Sequence, residues 1–381
     1  MKNRLRFLLW LAEGSVLAAL VLACVIPFSC RISEEGISLI GGDFTAPVIE
    51  DFSVIDGKTV KLSFSEPVQL SALVLSPRIN GISDSESISQ DENLSTALAA
   101  AAGEYGRINA SFTCDEDEKV YSVVMEEETC VGASYEMYGI VEDNIGNSLT
   151  FCIPFTGYNS QVPRVIMTEV QIKYGKGTIK GEVIYRGEYV ELLALEEGNL
   201  AGLVLESASD GSDKSYSFPA INVKKGEIIL LHLRTVGEGC VNEDGDDLTL
   251  ASAPHSAAGI RDLWSENTSS RFNDNSDVII LKDTVNGIIM DAVMYAPLDA
   301  TEWKSSIADY ALLVYQAGVY DSEDITSASI SKGCTTLKSL TRCDCKDIYE
   351  NIVRENNEDY DFPFVSDENS WQVTAVSPGY L

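Results

Sequence analysis

Two glutamates stand where a charge is expensive. Glu191 lies within RGEYVELLALEEGNLAGLVLE, Arg186 to Glu206, and Glu169 lies within RVIMTEVQI; both runs are otherwise apolar and strand-like. A pair of carboxylates in differing environments can act as general acid and general base, as in glycoside hydrolysis. In a strand, Tyr189, Glu191, Leu193 and Leu195 share one face and Val190, Leu192 and Ala194 the other, and both faces read as buried. A carboxylate there needs hydrogen bonds or a cation, for which Arg342 is a candidate. Glu169 shares its face with Val165, Met167 and Gln171, and the same requirement holds. Structural carboxylates are perturbed by burial just as catalytic ones are, so the expectation is that both glutamates belong to the fold. The competing reading is a calcium-assisted hydrolase that uses Glu169, Glu191 or the loop around Asp246.

That loop, CVNEDGDDLTL, gathers Asn242, Glu243, Asp244, Asp246 and Asp247 around Gly245. All are hard oxygen donors suited to calcium, but their spacing is not that of an EF-hand, and a solvated acidic loop is the plainer reading. His232, inside ILLHL, reads as a packed histidine. Cys343 and Cys345, with Cys334 nearby, suggest a thiolate site, yet neither His232 nor His255 is close in sequence to supply a fourth zinc ligand. Disulfides or free thiols are expected instead. There is no Gly-x-Ser-x-Gly elbow, phosphate loop or His-Glu-x-x-His helix. No catalytic residue, cofactor or metal is therefore assigned.

The elements that must hold these residues belong to a chain of 381 residues with 27 Lys+Arg against 59 Asp+Glu, a formal charge of -32. Most of such a surface repels nucleic acid and anionic lipid and favours basic partners or divalent cations. With 45% hydrophobic and 23% charged residues, the composition is that of a folded body. Lys2, Arg4 and Arg6 precede an apolar stretch from Ser15 to Phe28, too short for a spanning helix of about 20 residues, and small residues and cysteines follow. This is the layout of an export signal. Val21-Leu22-Ala23-Cys24 resembles the lipobox of bacterial lipoproteins, which implies a signal peptide over 1–23, lipidation of Cys24 and a tether over 24–44; Phe28-Ser29-Cys30 offers Cys30 as a second candidate.

The segment TAPVIEDFSVIDGKTVKLSFSEPV, Thr45 to Val68, alternates apolar and polar residues around Asp56-Gly57 and reads as a hairpin. Further strands are predicted over 119–124 and 135–155, the latter broken at Asp143 to Asn147. Between the two sets, TALAAAA reads as a short helix. Residues 45–157 resemble bacterial immunoglobulin-like domains, which implies a spacer or binding module. GYNSQVP, Gly157 to Pro163, then leads to a second set of strands, with turns at KKGE and VNG, expected to form an antiparallel all-β body. The order of Thr168-Glu169-Val170, Glu188 to Leu192, Asn199 to Gly202, Phe218-Pro219, Lys225-Gly226, Asp277 to Leu281, Asp291 to Val293, Ser339 to Arg342, Ser370-Trp371 and Ser377-Pro378-Gly379 resembles the lamin tail domain. That resemblance covers 161–381, with insertions at Val236 to Asn275 and Leu298 to Lys332 and a short helix in DIYENIVRENN.

The fold expected is thus all-β, two immunoglobulin-like β-sandwiches in tandem after a signal and lipid-anchor segment. The function expected is a non-catalytic lipoprotein at the bacterial cell envelope, on the periplasmic face or the cell surface, binding a protein or glycan and no nucleic acid. A purely structural envelope component held through its acidic face is a third reading.

Overall fold

In the strand TVKLSF, Val60, Leu62 and Phe64 turn inward while Lys61 stays in solvent, the period-2 pattern of a sheet with one buried face. The computed structural model describes residues 45–78, 108–209, 215–357, 360 and 365–381. The expected signal, the tether, Cys24, Cys30 and the alanine-rich helix lie outside the described residues. The first seven strands are β1 (Ile49–Val54), β2 (Thr59–Phe64), β3 (Val68–Pro77), β4 (Ala110–Cys114), β5 (Val120–Met125), β6 (Ser134–Asp143) and β7 (Ser148–Thr156). They form two sheets, ordered β1-β2-β5-β4 and β3-β6-β7, around one core that includes Leu62, Phe64, Val123, Met137 and Phe151. The turns are held by acidic side chains. Asp56 accepts from the amides of Lys58 and Thr59, and Asp143 from those of Ile145, Gly146 and Asn147.

The remaining strands are β8 (Val165–Gln171), β9 (Gly175–Ile179), β10 (Glu182–Arg186), β11 (Tyr189–Ala194), β12 (Gly198–Asn199), β13 (Leu203–Ser207), β14 (Tyr216–Ser217), β15 (Asn222–Val223), β16 (Ile228–His232), β17 (Arg261–Trp264), β18 (Asp277–Asp283), β19 (Ile288–Ala296), β20 (Ser329–Ile330), β21 (Lys338–Arg342) and β22 (Trp371–Ala375). A six-stranded sheet, β17-β16-β11-β8-β21-β22, shares a core with a five-stranded sheet, β14-β13-β18-β19-β20. The β9–β10 hairpin and the β12/β15 pair stand as separate two-stranded sheets. Residues Ala46–Leu381 form one compact unit, joined where the Asn159 side-chain amide donates to the carbonyls of Asn199 and Ala201.

Both sheets of this second body are covered on their outer faces as well. Helix α1 (Ser305–Gln316) lays Ile307, Ala311 and Val314, spaced four and three apart, on Val278, Ile280, Ala292 and Met294 of the five-stranded sheet. Helix α2 (Cys345–Ile348) and the π-helical run Tyr349–Arg354 cover Ile166 and Leu193 of the six-stranded sheet and Leu195 just beyond β11. Strands covered on both faces lose their polar alternation, as in DVIIL.

The structure is all-β in character but departs from the antiparallel body expected from sequence. Strands β16 and β17 pair in parallel, and so do β19 and β20. Parallel neighbours need a long crossover, and the two insertions supply it: the chain leaves β16 through the acidic loop to reach β17, and leaves β19 through α1 to reach β20. The helix α1, unassigned from sequence, lies inside the second insertion.

Candidate functional site

Strands β8 and β11 run antiparallel in register, with Glu191 opposite Glu169 and a bulge between Glu191 and Leu192. Each glutamate is 1% exposed. The Glu169 carboxylate accepts from Tyr189 Oη at 2.5 Å, from Ser339 Oγ, from Ser377 N at 3.1 and 3.2 Å and from Ser377 Oγ at 3.1 Å. Glu191 accepts from Thr168 Oγ1 at 2.7 Å on one oxygen and from Gly379 N at 2.5 Å on the other. The two carboxylates therefore clamp the strap Ser377-Pro378-Gly379 onto the sheet. Gly379 has φ +84, and a Cβ there would sit 1.7 Å from Ile260 Cδ1, so only glycine lets the strap lie down.

Burial pushes the Glu191 carboxyl up to about 7; the Gly379 amide and the Thr168 hydroxyl pull it back, and Glu169 raises it further. Such a value suits a general acid, but geometry comes first. The oxygens of both glutamates are occupied by groups of the fold. The cleft of about 490 Å³ beside Tyr349 and Tyr380, and that of about 520 Å³ between the two bodies, are lined by neither glutamate. Tyr189 stays a proton donor, because burial and the Glu169 carboxylate hold its phenol far above the ordinary range.

Arg342 does not meet Glu191. Its Nη2 pairs with both oxygens of Asp291 at 2.6 Å, its Nε donates to the Met167 carbonyl at 2.7 Å, and its guanidinium stacks on Trp371. Asp291 also accepts from the amides of Met167 and Ala292, so Arg342 completes a carboxylate site that already holds two backbone donors.

His232 is packed, as its setting in ILLHL suggests. Its Nε2 lies 2.6 Å from Asp262 Oδ1 and its ring stacks on Trp264 at 3.7 Å, while burial lowers its pKa and keeps it neutral. Asp262 leads to the acidic loop. Glu243 there is 1% exposed and accepts from the amides of Leu250, Ala251 and Asp262. Asn242 accepts from Trp264 N, and Asp247 from Thr249. Three of the five oxygen-bearing side chains thus organise the loop itself, and among the described residues no group of three or more His, Cys, Asp or Glu is placed to hold a metal. The seven described cysteines are free thiols, with Cys343 exposed and Cys345 buried on either side of Asp344.

Sequence reasoning found the glutamates but missed their partners. Tyr189, Thr168, Ser339, Ser377 and Gly379 all stand in motifs quoted from the sequence, yet Glu169 and Ser377 are 208 positions apart, and strand periodicity carries no information across such a span.

Fold and site define an all-β protein whose motifs converge on a buried carboxylate clamp. A family model described as "TP_1001_2nd: protein second domain" matches residues 163–373, and the chain belongs to that family. A protein of Treponema pallidum (strain Nichols) described as "Uncharacterized protein" is 31% identical over 166 residues, which are 43% of this chain and 40% of that relative. The match thus spans well under half of the relative's length. Among solved structures, surface layer protein SbsC, domains 1-6, matches with a TM-score of 0.22 and 11% identity over 63% of this chain and 39% of that one. A DUF4876 family protein from Bacteroides thetaiotaomicron matches with a TM-score of 0.22 and 10% identity over 50% and 75%. At these scores neither likeness bears on the function.

Proposed function

We propose that this chain is an exported lipoprotein, tethered through Cys24 to a bacterial membrane, whose two tandem immunoglobulin-like sandwiches form a non-catalytic binding or structural module for a protein or glycan at the cell envelope. The observation that carries the non-catalytic reading is the clamp: the carboxylates best suited to acid and base work are spent on Tyr189, Ser339, Ser377, Thr168 and Gly379. Support for the first sandwich being immunoglobulin-like comes from its sheet orders, β1-β2-β5-β4 and β3-β6-β7, which follow the ABED and CFG sheets of constant-type domains. Support for a lamin-tail type in the second comes from Thr168, Glu169, Tyr189, Glu191, Ser339, Ser377 and Gly379 of the motifs that carry that resemblance, which meet in the carboxylate clamp on the six-stranded sheet.

The anchor is tested by fractionating cells that express Cys24→Ala or Cys30→Ala. The first variant is expected to leave the membrane fraction and the second to stay; an unchanged distribution of Cys24→Ala contradicts the anchor. The non-catalytic reading is tested by a broad hydrolase screen with and without chelator. Calcium-dependent turnover that Glu169→Gln or Glu191→Gln abolishes would overturn it.

A further inference from the structure

Strands β9 and β10 form a hairpin that joins neither main sheet. From 173 to 186 it carries Lys173, Lys176, Lys180 and Arg186 against the single carboxylate Glu182, in a chain whose formal charge is -32. Lys173 is engaged by Asp274, whereas Lys176 and Lys180 are exposed and make no ion pair among the described residues. The base of the hairpin is held, with the Tyr185 ring against Gly237 and the Gly175 backbone against Thr336. Its tip is open to solvent: Ile179 is 48% and Val183 54% exposed.

The cross-strand register is Ile179 opposite Glu182 and Val183 opposite Thr178. Directly opposed residues share a face, so Ile179 lies on one face of the ribbon and Val183 on the other. A flat protein surface can cover only one face of a two-stranded ribbon, whereas a fluid medium entered by the tip covers both. The turn itself is Lys180-Gly181, with φ +51 and +89, a two-residue turn that normally takes Asn-Gly or Gly-Gly. Lysine is uncommon at positive φ, and its presence there at a local cost points to a use for its charge.

We propose that the tip of the β9–β10 hairpin is a contact site for an anionic lipid surface, with Ile179 and Val183 entering the interface and Lys176 and Lys180 meeting the headgroup charges. It deepens the envelope reading by naming the membrane itself as a partner of the folded body. Glu182 opposes the contact, and two unpaired lysines outweigh it. The rest of the acidic surface is repelled by the same membrane, so the hairpin alone approaches it.

The test is amide hydrogen exchange on the full chain mixed with vesicles of phosphatidylcholine, or of phosphatidylcholine and phosphatidylglycerol in equal parts. Because each lysine near an anionic surface strengthens binding, exchange across 178–183 is expected to slow by about tenfold on the anionic vesicles alone. The slowing should vanish in Lys176→Glu/Lys180→Glu, whose fold is checked by circular dichroism. Equal rates with both vesicle types would overturn the proposal, as would protection by added polyglutamate but not by lipid, which would mark an acidic protein as the partner. Failure of the lipid anchor shows separately, as loss of co-sedimentation with neutral vesicles whatever the tip amides do.

Discussion

Buried carboxylates are the recurring device of this chain, and most of them serve the backbone. Glu188, 0% exposed, accepts from Ser270 Oγ and the amides of Arg271 and Phe272 and pairs with Arg234. Asp277 holds Ser207, Ser209 and Asn273. Each desolvated charge is offset by several donors that would otherwise be orphaned at the ends of the sandwich. Removing one member of such a set leaves the others stranded. Arg342→Met leaves Asp291 buried without its cation, and urea denaturation is expected to show a loss of about 3–5 kcal/mol. Glu169→Gln puts an amide NH2 among four donors, three hydroxyls and the Ser377 amide, and a loss of about 1–3 kcal/mol is expected in the same measurement.

At the scale of elements, the strap is the piece whose placement depends most on a single residue. Gly379→Ala adds a Cβ at positive φ into Ile260, and hydrogen exchange over 377–381 should accelerate while stability falls by at least about 1–3 kcal/mol. Much of this level was legible in the sequence. The β1–β2 hairpin, the breaks at Asp143 and at the KKGE and VNG turns, and the helical turn after Cys345 follow from local alternation and turn chemistry. Helix α1 is not expected from the strand motifs because SSIADYALLVYQ falls within the insertion between them, although its apolar spacing is helical. The parallel strands β17 and β20 are four and two residues long, too short to carry a periodic signal, and their pairing is set by crossovers. For Glu191, sequence could require a partner but could not choose between Arg342 and a strap that returns from the far end of the second body.

For the whole molecule, the charge of -32 acts as self-repulsion spread over the surface, while the buried pairs lie out of reach of salt. Screening shortens to about 8 Å at physiological ionic strength. The thermal midpoint is therefore expected to rise by a few degrees as sodium chloride is added from low ionic strength, and a fall would mean that exposed ion pairs dominate over repulsion.

The account rests on the clamp, and Glu191 tests it most directly. Its carboxyl has a pKa of about 7 in the fold against 4.5 in the unfolded chain, so the folded state holds the extra proton between those values. Stability from this group is full below about pH 4.5 and is lost as pH rises through 7, a change of about 3 kcal/mol. The measurement is the thermal midpoint of the full chain from pH 5 to pH 8.5, wild type beside Glu191→Gln. The wild-type midpoint should fall relative to the variant across that range, with the variant equal or higher at pH 8.5, because an uncharged amide still accepts from Gly379. Parallel curves would contradict the account, because a carboxyl buried beneath the strap must hold its proton to higher pH in the folded chain than in the unfolded one.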